Sequence, residues 1–167
     1  MTRSQAVFPY IAPLLALYVV TAAEPLDRIL ARVNGHVITL TDVRAASALH
    51  LIAVPDDDLS LATYAVVDRR LVLIEALRGQ PNEPQADLVD AEVVAMTARV
   101  GGQARLVSIM EETGITDDGL RQIARESLWT AAYRSQRFGD APGSVAGDAW
   151  LVNLRRRATI KCEIPGC

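Results

Sequence analysis

Cysteine is nearly absent. Only Cys162 and Cys167 occur in 167 residues, so the chain is not a disulfide-built scaffold. Histidine is equally scarce, and neither His36 nor His50 has a Cys or His at ligand spacing, which argues against zinc. They read as an exposed turn histidine and a helix-surface histidine. No excess of positive charge exists: the formal net charge is −3, a poor match to nonspecific nucleic-acid binding. Ser108 and Ser127 stand in no nucleophile motif. Gly101-Gly102 lacks a phosphate-loop sequence, and no EF-hand pattern follows Asp56-Asp57-Asp58. Those aspartates suit the positive end of a helix instead. No internal repeat or low-complexity tract is visible. The residues therefore point to no catalytic site, cofactor or metal.

One long apolar run is present, and it comes first. Arg3 supplies a positive start, and no acidic residue appears before Glu24. Residues 6–20 are apolar apart from Pro9 and Pro13 breaking the run, and Thr21-Ala22-Ala23 gives a small-residue site. This order reads as a secretory signal peptide over residues 1–23, cleaved after Ala22 or Ala23. The competing reading is an uncleaved anchor. Residues 6–23 are marginal for that, because a spanning helix needs roughly 20 apolar residues. No cysteine follows the run to carry a lipid. No second long apolar stretch exists, so no stable membrane insertion is expected after cleavage. Residues 24–167 suffice for one core.

The remaining chain reads as mostly α. Residues 28–41 read as a β-hairpin turning at Asn34-Gly35, a pair that tolerates the positive φ angles of a type I′ turn. Ile29, Ala31 and Val33 alternate on one strand, and residues 37–40 suit the return. Thr41 or Asp42 caps a helix to about Ile52. Residues 59–77 form the clearest helix, with Tyr64, Val67, Leu71 and Ile74 on one stripe and Val66, Leu73 and Leu77 on a second. Two stripes mark a central helix with neighbours on two sides; Asp68, Arg69, Arg70 and Glu75 take much of its remaining surface. Further helices are expected over 85–100, 104–112 and, capped by Thr116-Asp117-Asp118, 117–138. Residues 139–147 form a linker. Asp148 then caps a helix over 149–157, whose Arg155-Arg156-Arg157 offset the helix dipole. Residues 159–164 alternate as a strand. A lone strand needs a partner, so the C-terminus is expected to return to the N-terminal hairpin.

Four aromatics are candidate client-binding residues or core: Tyr64, Trp129, Tyr133 and Trp150. At helical spacing the last three favour burial. Cys162 and Cys167 have two readings, a short disulfide permitted by export or a buried Cys162 with a free Cys167. A type II turn at Pro165-Gly166 sets Cys167 beside Ile164 and favours the second, and a bridge there is not needed for folding.

These residues carry a resemblance. Residues 28–35 (RILARVNG), Val37-Ile38-Thr39 and Asp42-Val43 resemble the opening hairpin of the SurA-type periplasmic chaperones. Residues 66–76 (VVDRRLVLIEA) are similar to that family's next signature helix. Residues 120–123 through 133–138 are similar to its last N-domain helix. Trp150-Leu151, residues 154–158 and Ile160 resemble the terminal helix and strand. The resemblance implies a SurA N-terminal-like helical domain over 24–138, with 148–167 closing back on it. It implies periplasmic location and an ATP-independent chaperone that binds unfolded apolar or aromatic segments of exported or outer-membrane proteins. Such binding would use a groove between helices. Family members usually carry parvulin-type isomerase domains between the last N-domain helix and the terminal helix. Here that interval is residues 139–147, so peptidyl-prolyl isomerase activity, the alternative that membership alone suggests, has no residues to carry it. A second alternative is a non-catalytic envelope partner-binding protein. A large exposed apolar patch would favour the chaperone, a closed polar surface the partner-binder.

Protein recovered from the cell envelope is expected to begin at Glu24 or Ala23 by intact mass. Met1 or Thr2 still attached would mark the uncleaved anchor.

Overall fold

The computed structural model describes residues 27–55, 58–139 and 145–165. The segment 1–23, Asp56, Asp57, Cys167 and most of the 139–147 linker lie outside the described residues. The described residues form six helices and a three-stranded sheet, a small and mostly helical fold.

The hairpin forms where the turn chemistry demands it. Strands β1 (Ile29–Val33) and β2 (His36–Thr39) pair antiparallel, with Val33 opposite His36. Asn34 and Gly35 both have positive φ, 48° and 87°, as a type I′ turn requires. The simple alternation expected for β1 is broken by a bulge between Ile29 and Ala31. Leu30 and Ala31, adjacent at the bulge, are both fully buried, where a regular strand packed on one face alternates buried and exposed positions.

Strand β3 (Ile160–Cys162) returns from the far end of the chain and pairs antiparallel with β1, giving the order β2-β1-β3. Asn34 secures the return twice. Its N–H donates to the Thr159 carbonyl at 2.9 Å, and its Oδ1 accepts from the Thr159 N–H at 2.9 Å. Beyond the strand, the Glu163 N–H donates to the Leu30 carbonyl at 2.8 Å. Cys162 is disulfide-bonded, which overturns the favoured free-thiol reading; the sequence holds one other cysteine, Cys167.

Helix α1 (Leu40–Ala48) starts and stops earlier than expected. Thr39 is the cap, not Thr41 or Asp42. Its hydroxyl accepts from the Asp42 N–H at 3.2 Å, and the Asp42 carboxylate accepts from the Thr39 N–H at 2.9 Å, a reciprocal capping box. His50 ends the helix in left-handed backbone with φ 52°, and the Leu51 N–H reaches back to the Ala46 carbonyl at 2.8 Å. His50 is therefore a terminator and not a residue on a helix surface. Its Nδ1 lies 3.2 Å from the Arg99 carbonyl oxygen.

Helix α2 (Leu59–Arg78) is capped by Asp58, whose carboxylate accepts from the Leu61 N–H at 2.9 Å. It contacts α1, both hairpin strands, and the later helices α5 (Asp117–Phe138) and α6 (Val145–Arg157), as two apolar stripes foretell. Val66, Val67, Leu71 and Leu73 are buried, but Tyr64 and Leu77, at the stripe ends, are 36% and 40% exposed. Helix α3 (Ala86–Arg99) and helix α4 (Gln103–Thr113) follow. Gly114 stops α4 with φ 68°, and Thr116 caps α5 by accepting from the Gly119 N–H at 3.1 Å. Helix α6 begins at Val145, so Asp148 lies inside its first turn and is not the cap.

Two buried clusters form where one core was expected. The first joins Leu30, Val33, Ile38, Val67 and Leu71 to Trp150, Leu154 and Ile164. The second joins Leu49, Val89, Met96, Leu106, Ile109 and Ala124. Leu51 packs against both. Helix α6 is held on α2 by Trp150 and by Arg155, whose Nε donates to an Asp68 carboxylate oxygen at 2.6 Å while Nη2 bonds the other oxygen. That hydrogen-bonded carboxylate raises the Arg155 pKa further, against the lowering effect of burial. Arg155 is thus a cross-helix clamp. Arg156 and Arg157 hydrogen-bond Asn153 on their own helix.

The tie through Trp150 has a measurable consequence. Trp150→Ala is expected to cost about 3–5 kcal/mol in denaturant unfolding, the usual range for a buried Trp. Val152→Ala, at a site 52% exposed on the same helix, is expected to change stability by under about 0.5 kcal/mol. Equal effects would refute the docking of α6 on the first core.

Candidate functional site

Helices α1, α2 and α5 do not close fully where the two clusters meet. They leave a cleft of about 190 Å³. Ala45 and Ala46 of α1, Leu51, Val66 and Leu73 of α2, and Ile123 of α5 give it apolar walls. The side chains of Ala45 and Ala46 are small, and a larger residue on that turn of α1 is expected to reduce the space. A second depression of about 230 Å³ shares Leu51, Arg69 and Thr130 with it and extends toward Leu151 of α6.

Charge is set into these walls. Arg69 and Arg70 of α2, Asp42 of α1 and Glu126 of α5 all line the cleft. Arg69 and Arg70 are both half-buried. The Arg69 Nη2 donates to the Ser127 hydroxyl at 2.9 Å, and Ser127 donates onward to the Ile123 carbonyl at 2.9 Å. Burial pushes the Arg69 pKa down; the Glu126 carboxylate opposes that, and Arg70 and Arg99 add to it. Asp42 is engaged in the α1 capping box, and Glu126 accepts from the Gln122 side-chain amide at 3.1 Å. Among the described residues neither Arg69 nor Arg70 makes an ion pair within 4.0 Å.

The four candidate aromatics do not line this cleft. Trp150 meets Tyr133 at 5.7 Å and Phe138 at 5.3 Å between ring centroids. The Arg137 guanidinium lies 5.7 Å from the Phe138 and Trp150 rings. This group is the joint between α5 and α6. The Trp129 Nε1 donates to the Asn82 carbonyl at 3.0 Å, fastening the loop before α3 onto α5. Tyr64 sits apart on α2, beside Arg155. The residues that do meet in the cleft were hidden in the α2 pattern. Arg69 and Arg70 fall three and four positions after Val66, and four and three before Leu73, on the very stripe those residues bury.

A second surface stands out on α3. Leu88 and Val94 are 51% and 68% exposed, and Ala91, Ala95 and Ala98 beside them are not buried either. Among the described residues no cluster of three or more His, Cys, Asp or Glu could hold a metal. None of the described helices is long and apolar enough to cross a membrane.

Desolvating an arginine without a carboxylate partner lowers stability. Arg69→Met is therefore expected to leave the melting temperature unchanged or raise it. A clear drop would show that Arg69 is needed to hold the fold. No family model matches this chain, and no curated protein matches it.

Proposed function

We propose that this chain is an exported, ATP-independent chaperone module that binds unfolded apolar segments of other envelope proteins. The observation that carries the proposal is the cleft between α1, α2 and α5, open to solvent, with an apolar wall from Ala45, Ala46, Leu51, Val66, Leu73 and Ile123 beside the two arginines. The SurA-like order of hairpin, signature helix and terminal helix with strand supports the same reading. So does the short interval between Phe138 and Val145, which leaves no space for an isomerase domain. The exposed Leu88 and Val94 add apolar surface outside the cleft.

The energetics suit transient binding. One buried Leu- or Phe-sized side chain contributes about 1.5–3 kcal/mol, and a cleft of about 190 Å³ takes only one or two. Ordering an unfolded segment opposes that gain. The result is weak, fast-exchanging capture. A fixed partner-binding protein is the competing reading, and the arginine pair in the cleft favours it, because buried charge selects among ligands more than it strengthens binding.

An aggregation assay separates the two. Equimolar protein is expected to slow aggregation of an unfolded outer-membrane β-barrel protein, and Ala46→Phe, which fills the cleft, is expected to weaken the effect. The protein is expected not to accelerate X-Pro isomerisation, whose uncatalysed course takes tens to hundreds of seconds. No slowing of aggregation at several-fold excess would reject the chaperone reading.

A further inference from the structure

Two arginines in consecutive positions on one helix turn need a reason to face an apolar cleft. Burial lowers the Arg69 pKa; the Glu126 carboxylate raises it, and neighbouring Arg70 lowers it again. Neither has a carboxylate partner within 4.0 Å among the described residues. A guanidinium carries several N–H donors, and those of Arg69 make one side-chain hydrogen bond, to the neutral Ser127 hydroxyl. The nearby carboxylates are otherwise engaged: Asp42 with the Thr39 N–H and Glu126 with Gln122. The cleft therefore offers unused, partly desolvated cationic donors beside an apolar wall.

We infer that the cleft takes the C-terminal end of a polypeptide, with Arg69 and Arg70 holding its α-carboxylate and the Ala45–Ala46–Leu51 wall receiving its last side chain. This rests on the reading of the cleft as a site for unfolded chains. An α-carboxylate and an apolar side chain branch from the same Cα, so one terminal residue presents both to walls one side chain apart. A guanidinium binds a carboxylate through paired, charge-assisted hydrogen bonds, which are strongest where water is excluded. Asp42 and Glu126 line the same cleft, and their negative charge is expected to disfavour a phosphate dianion more than a single carboxylate. The size agrees. A cleft of about 190 Å³ is smaller than the roughly 300 Å³ at which drug-sized pockets begin, and it suits one residue.

The test uses the full mature chain and a fluorescein-labelled unstructured peptide ending in Leu-Phe, in free-acid and C-terminally amidated forms. By anisotropy, the acid is expected to bind roughly ten- to a hundredfold more tightly than the amide. That preference is expected to shrink to under about threefold in Arg69→Met and in Arg70→Met, with each variant's fold checked by its melting curve. Arg69→Lys is expected to keep part of the preference, having the charge without the fork. Acetate is expected not to compete at peptide-saturating concentration, since it has the carboxylate but no side chain for the wall. Equal affinity for acid and amide would overturn the inference and leave the chaperone reading standing. Competition by acetate as strong as by unlabelled peptide would also overturn it, assigning the site to small carboxylic acids. Failure of both peptide forms to bind would overturn the inference together with the chaperone reading.

Discussion

Strand β1 must be paired on both edges, and its second partner lies at the other end of the chain. Most of the fold follows from that constraint. A two-stranded hairpin alone is marginal in water. The sheet is completed when β3 arrives beside β1, with Ala31 opposite Cys162 and Val33 opposite Ile160. Asn34 links the two events, since the residue that permits the hairpin turn also holds Thr159 by both its main chain and its side chain. For β3 to reach that edge, α6 must lie across α2. Trp150 and the Arg155–Asp68 contact fix it there. The first core is therefore built from both ends of the sequence around the helix in its middle.

The second core is different in kind. Helices α3, α4 and the first half of α5 enclose Val89, Met96, Leu106, Ile109 and Ala124 through short-range connections. Helix α1 ends at His50 so that Leu49 enters this second core while Leu51 touches both. The two cores meet at Leu51, between Ala46 and Val66 of the first and Ile115 and Ile123 of the second. The cleft lies along that seam. Its arginines stand half-buried, and desolvated charge without a paired carboxylate is expected to cost stability, as residues kept for binding commonly do.

What the sequence revealed was mostly local chemistry. Asn34-Gly35 marked the hairpin, Gly114 the end of α4 and Thr116 the start of α5, because each acts on backbone within a few residues. The return of β3 was legible for a different reason: an alternating segment with no other strand to pair with leaves one solution. The cap of α1, Thr39, lies two or three residues before the expected Thr41 or Asp42 because all three are competent caps, and the strand register decides among them. The bulge at which Leu30 and Ala31 are both buried has no marker in the residues themselves. The division into two cores and the cleft between them are tertiary facts. The aromatics drew attention by their bulk, yet bulk led Tyr133 and Trp150 into a helix joint and Trp129 onto a loop. Arg69 and Arg70 looked like solvated surface because charge on a helix usually is. Their position on the Val66–Leu73 stripe was the available clue.

On the function proposed above, an unfolded chain binds at the seam between the two cores. Hydrogen exchange of the full mature protein, read by mass spectrometry with and without a saturating unfolded client, tests it most directly. Added protection is expected to concentrate in α1, in residues 66–73 of α2 and in residues 123–130 of α5. Protection confined to α3, where Leu88 and Val94 are exposed, or no added protection anywhere, would contradict it.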